Sequence, residues 1–182
     1  MPDLTDAEIQ AIISRVKGRV AAADIGGRAG QAIVAADAVA DVDDALGEGV
    51  FRTVDDAVGA AKRAFGAYQA LGLDARKRII EAIRASMRAE NERLAYMARQ
   101  ETGLGRADDK ILKNQLVIER TPGPEDLEPR VVTGDQGMMV AEYAPYGVIG
   151  AITPTTNPTS TIINNAIAIL TAGNSVTFNV HP

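Results

Sequence analysis

The sequence predicts an α/β protein: a layer of amphipathic helices, then a β-hairpin, then one strand–helix–strand unit, with a separate amphipathic helix and a flexible linker ahead of them. Three observations predict it. Apolar residues recur at three- and four-residue steps through most of 51–120. Gly134-Asp135-Gln136-Gly137 separates two short strand-like runs. The apolar run from Gly147 to Ile152 is answered, one helix length later, by a second run from Val176 to Val180.

The first helix opens on a capping box, Thr5 with Glu8, flanked by Leu4 and Ile9 at the staple positions. Ile9, Ile12, Ile13, Val16 and Val20 share one face, and residues 1–22 are expected to form an amphipathic helix. Residues 23–50 turn to Ala, Gly and Asp. Gly26, Gly27 and Gly30 break regularity, and Asp37, Asp41, Asp43, Asp44 and Glu48 repel one another. Such a stretch buries too little surface to offset its ordering entropy, so a linker is expected.

The globular part is expected over 51–182. Thr53 is placed to cap a helix with the stripe Val54, Val58, Ala61, Phe65 and Tyr68. A second helix is expected from Asp74, with Ile79, Ile80, Ile83 and Met87 inward and Arg76, Arg84 and Arg88 outward. A third runs from about Asn91 through Leu94, Tyr96 and Met97 to Gly103, and a fourth from about Arg106 to Arg120, ahead of Pro122-Gly123-Pro124. Arg130–Thr133 and Met138–Tyr143 form the hairpin strands. Gly147–Ile152 does not alternate, which predicts a strand buried on both faces. Pro158 stands at a first helical position, Ile162, Ile163, Ala166, Ile167 and Leu170 follow, and Gly173 ends the helix before the last strand. The unit is one βαβ crossover of a parallel sheet. A sheet of two parallel strands is incomplete, so a truncated domain is expected.

Composition removes several classes of function. A net charge of −5 offers no excess of cations for phosphate backbones, which argues against nucleic acid as a partner. The chain has no cysteine and one histidine, His181, so thiolate chemistry and multi-histidine metal sites are not available within it. No apolar run approaches the roughly 20 residues of a membrane span, and no basic-then-apolar signal opens the chain. A soluble intracellular protein is the expectation.

Chemistry concentrates in Thr153-Pro154-Thr155-Thr156-Asn157-Pro158. This turn lies outside the carboxyl end of a parallel strand, where α/β sheets bind ligands, and leads into a helix amino terminus, which suits an anion. Spacing alone also fits a plain helix cap at Asn157 followed by proline, and no G-x-G-x-x-G supports a dinucleotide site. Both readings stand on these residues.

The segment from Gly147 through Pro154-Thr155-Thr156-Asn157-Pro158 to Gly173-Asn174-Ser175-Val176 resembles the start of the cofactor domain in the aldehyde dehydrogenase superfamily. Thr153 to Thr161 is similar to the CoA-acylating branch in particular, since hydrolytic members usually carry an aromatic residue where this turn has Thr. Glu101 to Arg106, Asp109 to Asn114 and Thr121 to Leu127 resemble the same branch, so the resemblance covers about Phe51 to Pro182. It implies a Rossmann-like NAD-binding domain and a reaction of aldehyde, CoA and NAD giving acyl-CoA and NADH, with propionaldehyde ahead of acetaldehyde and succinate semialdehyde. It implies that Asn157 donates an N–H to the oxyanion formed when a cysteine thiolate attacks the aldehyde, and that Ile152, Thr153, Pro154 and Thr155 run along the cofactor. Asn179 departs from the lysine of hydrolytic members, which puts the ribose and phosphate preference in doubt. The nucleophile is expected beyond Pro182, leaving this chain inactive alone.

The resemblance also bears on partners and place. A helix on a linker is similar to the encapsulation peptides of bacterial microcompartment cargo, so residues 1–22 are expected to bind a shell protein, in the bacterial cytoplasm or a microcompartment lumen. A homo-oligomer is expected, because the hairpin often joins subunits in such proteins. The competing reading is a non-catalytic interaction or targeting module, and a further one a truncated relative that forms mixed oligomers through Arg130–Tyr143.

Overall fold

A computed structural model of the chain describes residue 7 and residues 49–181. The helix expected over 1–22 and the linker over 23–50 therefore lie outside the described residues, apart from positions 7, 49 and 50. The described elements run α1 (Val54–Gln69), α2 (Leu73–Thr102), α3 (Ala107–Arg120), a single 3-10 turn (Pro124–Asp126), β1 (Arg130–Gly134), β2 (Gly137–Ala141), β3 (Val148–Thr153), α4 (Pro158–Thr171) and β4 (Ser175–Val180).

Local chemistry accounts for most boundaries. Thr53 Oγ1 accepts from the Asp56 N–H at 3.1 Å and caps α1, whose first turn carries Asp55 and Asp56 against the dipole. Gly103, at φ +70°, closes α2 with its N–H on the Arg99 carbonyl. α4 ends in a Schellman arrangement: Gly173 N–H reaches the Leu170 carbonyl at 2.9 Å, and Asn174 N–H reaches that of Ile169 at 3.1 Å. Gly173 stands at φ +80°, a backbone conformation that favours glycine, and a Cβ there would also have to push aside the Arg76 guanidinium, 2.7 Å away.

Two expectations for the helical layer are corrected. The second and third helices are one helix of 30 residues, α2. No glycine or proline interrupts Arg88 to Asn91, and Asn91 does not cap anything: its Nδ2 donates to the Ile111 carbonyl of α3 at 3.0 Å. Past that point the buried residues are Ala95 and Ala98, while Tyr96 and Met97 face outward, because small side chains let α2 and α3 approach closely. Arg84 is not outward. Its side chain is only 12% exposed, and it donates to the Thr121 carbonyl and to Glu125. Arg76 also turns inward, its guanidinium 5.3 Å from the Tyr68 ring centre.

The core joins three helices. Ile80 of α2, Ile118 of α3 and Ile163 and Ile167 of α4 are almost fully buried, with Ile83, Met87, Val117 and Leu170 packed around them. Each such isoleucine contributes about 1.5–3 kcal/mol by leaving water. α1 is tied to the end of α4 by Tyr68 Oη on the Leu170 carbonyl (2.9 Å) and Gln69 Nε2 on the Gly173 carbonyl (2.5 Å).

The two sheets match the expected topology. β1 and β2 pair antiparallel from Arg130↔Ala141 to Gly134↔Gly137, and every residue of both is exposed. β3 and β4 pair parallel from Val148↔Ser175 to Thr153↔Val180, with α4 as the crossover. Their amino ends are clamped by Asn174, whose buried Oδ1 accepts from the N–H groups of Tyr146 and Gly147 at 2.6 and 2.9 Å. Burial of β3 on both faces does not hold for this chain. Ala151 and Thr153 are buried, whereas Gly150 is exposed and Ile152 is 80% exposed, so only one face is covered along the carboxyl half of β3.

Candidate active site

Every residue singled out from the sequence sits at the carboxyl ends of β3 and β4 or in the turn that leaves β3. Ile152 and Asn179 are register partners in the parallel pair, so they lie side by side, and both are exposed. Pro154 is exposed and Thr155 and Asn157 are half-buried. Thr153 differs. Its side chain is 1% exposed, its hydroxyl has no partner, and its carbonyl accepts from the His181 N–H at 3.1 Å. Among the cofactor-cleft candidates, Ile152, Pro154, Thr155 and Asn179 therefore offer accessible surface, and Thr153 shapes the turn from inside.

Asn157 occupies the N-cap position of α4, with Pro158 at the first helical position, yet its side chain makes no capping hydrogen bond. The carboxamide is turned to α3 instead, where Lys113 Nζ donates to its Oδ1. An ammonium can only donate, so it takes the oxygen and leaves the NH₂ end as the donor on the other side. Nδ2 donates one long hydrogen bond to Thr156 Oγ1, at 3.4 Å, and its second hydrogen remains for another acceptor.

Helix α3 supplies the rest of the setting, and none of it was found from the sequence. Lys110 is 5% exposed and donates from Nζ to the Thr156 carbonyl at 3.3 Å, holding the turn from below. Asn114 is fully buried, and its Oδ1 accepts from Thr159 Oγ1 at 3.0 Å, which fixes the first turn of α4. Thr121 Oγ1 donates to the Asn164 side chain at 3.1 Å. Lys110, Asn114, Ile118 and Thr121 follow one inward stripe, so the signal was present. It was polar residues at the period of a buried face, where charge is ordinarily read as solvated. A shallow cleft of about 230 Å³ opens beside Asn157, lined by Lys113, Val117, Thr161 and Asn164 among others.

The electrostatics favour negative charge. The first turn of α4 carries no acidic residue, so the positive end of its dipole is unopposed there. Lys110 and Lys113 add two cations. Burial, and then repulsion from Lys110, hold the Lys113 ammonium below the ordinary lysine range. An N–H donor between a helix amino terminus and a lysine is suited to an oxygen that gains charge during a reaction. Among the described residues, no group of acidic or histidine side chains could hold a metal ion.

The aldehyde dehydrogenase family model matches residues 27–182. The chain belongs to the aldehyde dehydrogenase family. Within that family it is 48% identical over 136 residues to a CoA-propanoylating propanal dehydrogenase of Citrobacter freundii, covering 75% of this chain and 30% of that protein. The propionaldehyde dehydrogenase of Rhodopseudomonas palustris, solved with bound CoA and an acylated cysteine, superposes with a TM-score of 0.72 at 47% identity, covering 75% of this chain and 31% of that one. A propionaldehyde dehydrogenase from the fucose utilisation microcompartment of Clostridium phytofermentans gives 0.70 at 49% identity, over 74% of this chain and 31% of its own. The chain thus spans about 30% of the length of the aldehyde dehydrogenases it matches. The branch implied by the threonine-bearing turn is the one these relatives represent, and the described helices, hairpin and βαβ unit are part of an aldehyde dehydrogenase domain.

Proposed function

We propose that these residues serve an NAD-dependent CoA-acylating aldehyde dehydrogenase acting on propionaldehyde, with Asn157 as the oxyanion donor. The observation that carries this reading is the Asn157 carboxamide at the amino terminus of α4, held at its oxygen by Lys113 and bonded through its NH₂ end only to Thr156 Oγ1 at 3.4 Å, which leaves one N–H to donate. The 48% identity to a CoA-propanoylating enzyme supports the substrate class.

In the proposed reaction a cysteine thiolate adds to the carbonyl carbon, and the carbonyl π pair moves onto oxygen, where the Asn157 N–H and the α4 dipole receive it. The oxygen lone pair re-forms the carbonyl as hydride departs, giving an enzyme thioester. NAD supplies the hydride acceptor. The CoA thiol, losing its proton, displaces the cysteine, so aldehyde, CoA-SH and NAD⁺ give acyl-CoA, NADH and H⁺. The open edge formed by Ile152 and Asn179 at the carboxyl ends of β3 and β4 fits a nucleotide: an apolar side chain for a ring and an amide for hydroxyls.

The chain has no cysteine, so the nucleophile must come from sequence outside these 182 residues, and this stretch alone should form no NADH. In the complete enzyme, NADH formation from propionaldehyde should require CoA for turnover. Asn157→Ala should lower kcat by about 100- to 1000-fold. Wild-type turnover in that variant would remove Asn157 from the mechanism. For residues 1–22 we propose shell binding inside a bacterial microcompartment. The supporting points are the amphipathic pattern of the sequence and the microcompartment source of one solved relative. A fluorescent protein fused to residues 1–22 should gather into foci in cells making shells, and diffuse fluorescence would defeat the idea.

A further inference from the structure

We propose that Lys113 is a positioning residue for the reaction: it fixes the rotation of the Asn157 carboxamide so that the NH₂ end, not the oxygen, meets the developing oxyanion. The inference rests on the reading of Asn157 given above and extends it to a residue on a different element.

A free asparagine at the mouth of a turn can place either end of its amide toward a ligand, at almost equal cost. One orientation offers two donors to an oxyanion, and the other offers an acceptor that repels it. Nothing on α4 itself settles the choice, because the Asn157 side chain makes no capping bond and Thr156 Oγ1 can serve either as donor or as acceptor. Lys113 settles it. Its Nζ donates to Oδ1 and has no capacity to accept from Nδ2, so the flipped amide would set N–H against N–H.

The lysine is itself held. Asn114, next to it on α3, is fully buried and bonded to Thr159 in the first turn of α4, and Lys110, one helical turn back, holds the Thr156 carbonyl. The two elements are therefore fastened on both sides of the Lys113–Asn157 contact, which lets a long side chain act at a fixed distance. Lys113 also places a positive charge behind the carboxamide oxygen, polarising the amide so that its N–H groups become stronger donors.

The test is a double-mutant cycle in the complete enzyme, joined to the segment that carries the cysteine. The readout is the rate of the first NADH burst from NAD and propionaldehyde before CoA is added, together with the KM for the aldehyde. Lys113→Met keeps the apolar stem and should slow the burst about tenfold, with KM within about twofold, as expected for coupled neighbours. Lys113→Arg, which also can only donate, should keep most of the rate. In an Asn157→Ala background, Lys113→Met should change the burst by less than about twofold, since nothing is left to orient. A tenfold effect of Lys113→Met that persists in that background overturns the proposal, as does a wild-type burst in Lys113→Met alone. If Asn157→Ala itself reacts at the wild-type rate, the oxyanion reading fails and the positioning role fails with it. A slow Asn157→Ala with an additive or silent Lys113→Met removes the positioning role alone. Thermal midpoints of all variants separate these outcomes from misfolding, which Lys113→Arg should not share.

Discussion

At Asn174 one carboxamide oxygen accepts from two successive backbone N–H groups, those of Tyr146 and Gly147, and so sets where β3 begins relative to β4. The Gly147 N–H is buried and has no water to turn to. Asn174→Ala should therefore cost roughly 1–3 kcal/mol, read as a lower urea midpoint, while Asn174→Asp, which keeps an acceptor, should cost less. Gly173 and Asn174 are legible in the sequence as a helix stop before a strand, and the clamp is not, because it depends on a residue 27 positions earlier. Asn157 shows the same limit from the other side. Its place at the head of α4 follows from Pro158, yet spacing could not show that the side chain looks away from its own helix toward Lys113. Local pattern fixes a residue's position on an element, and the partner across the fold decides what its polar atoms do.

Between elements, the pairing of α2 with α3 combines a dry seam and a charged rim. The seam consists of Ala95, Ala98 and the Asn91–Ile111 bond, and the rim includes Arg88, which holds Glu119 at 2.6 Å and Glu81 at 2.9 Å. The hydrogen bond from Arg88 keeps the Glu119 carboxyl below its ordinary value of 4.5. The folded state thus binds the proton less readily than the unfolded chain. The stabilisation from this pair is present above about pH 4.5 and is lost as pH falls through the lower, folded value. Glu119→Gln should accordingly lower the thermal midpoint slightly at pH 7, as suits an exposed pair, and this difference from the wild type should vanish as the pH falls toward 3. Periodicity predicted the helices of this layer and most of their inward residues. It divides α2 in two by starting a helix at Asn91, and it sets Arg76 and Arg84 in water by reading charge as surface. Both errors come from treating polar residues as punctuation when, with a partner across the interface, they are parts of the packing.

For the molecule as a whole, the largest consequence is exposed apolar surface. The sheet face bearing Ile152 and both faces of the β1–β2 hairpin are open, with Val131, Met138 and Val140 on one side of the ladder by register. A surface of this kind favours association, and we propose that subunits meet through the hairpin. Light scattering of the enzyme should show a smaller particle for the pair Met138→Lys and Val140→Lys, whose ammonium groups would fall on the same face. An unchanged mass would place the subunit contact elsewhere. The order of layers, the hairpin and the parallel crossover were all readable from the sequence, since each rests on local periodicity and turn residues. What covers β3 was not readable, because an unalternating apolar run speaks of the finished sheet, and about 30% of a relative's length is only part of one.

An unbroken α2 of 30 residues makes a beam of about 45 Å, and a beam has a phase. One residue inserted near Arg88 would rotate everything beyond it by roughly 100°. Glu90 would then stand where Asn91 reaches Ile111, and Leu94 and Met97 would fall on the seats of Ala95 and Ala98, too large for the gap to α3. Since α3 carries Lys113, a slip of one step in this distant member would be felt at the carboxamide of Asn157. An insertion in this chain should thus be tolerated only at the joints at either end of the beam, beside Gly72 and Gly103.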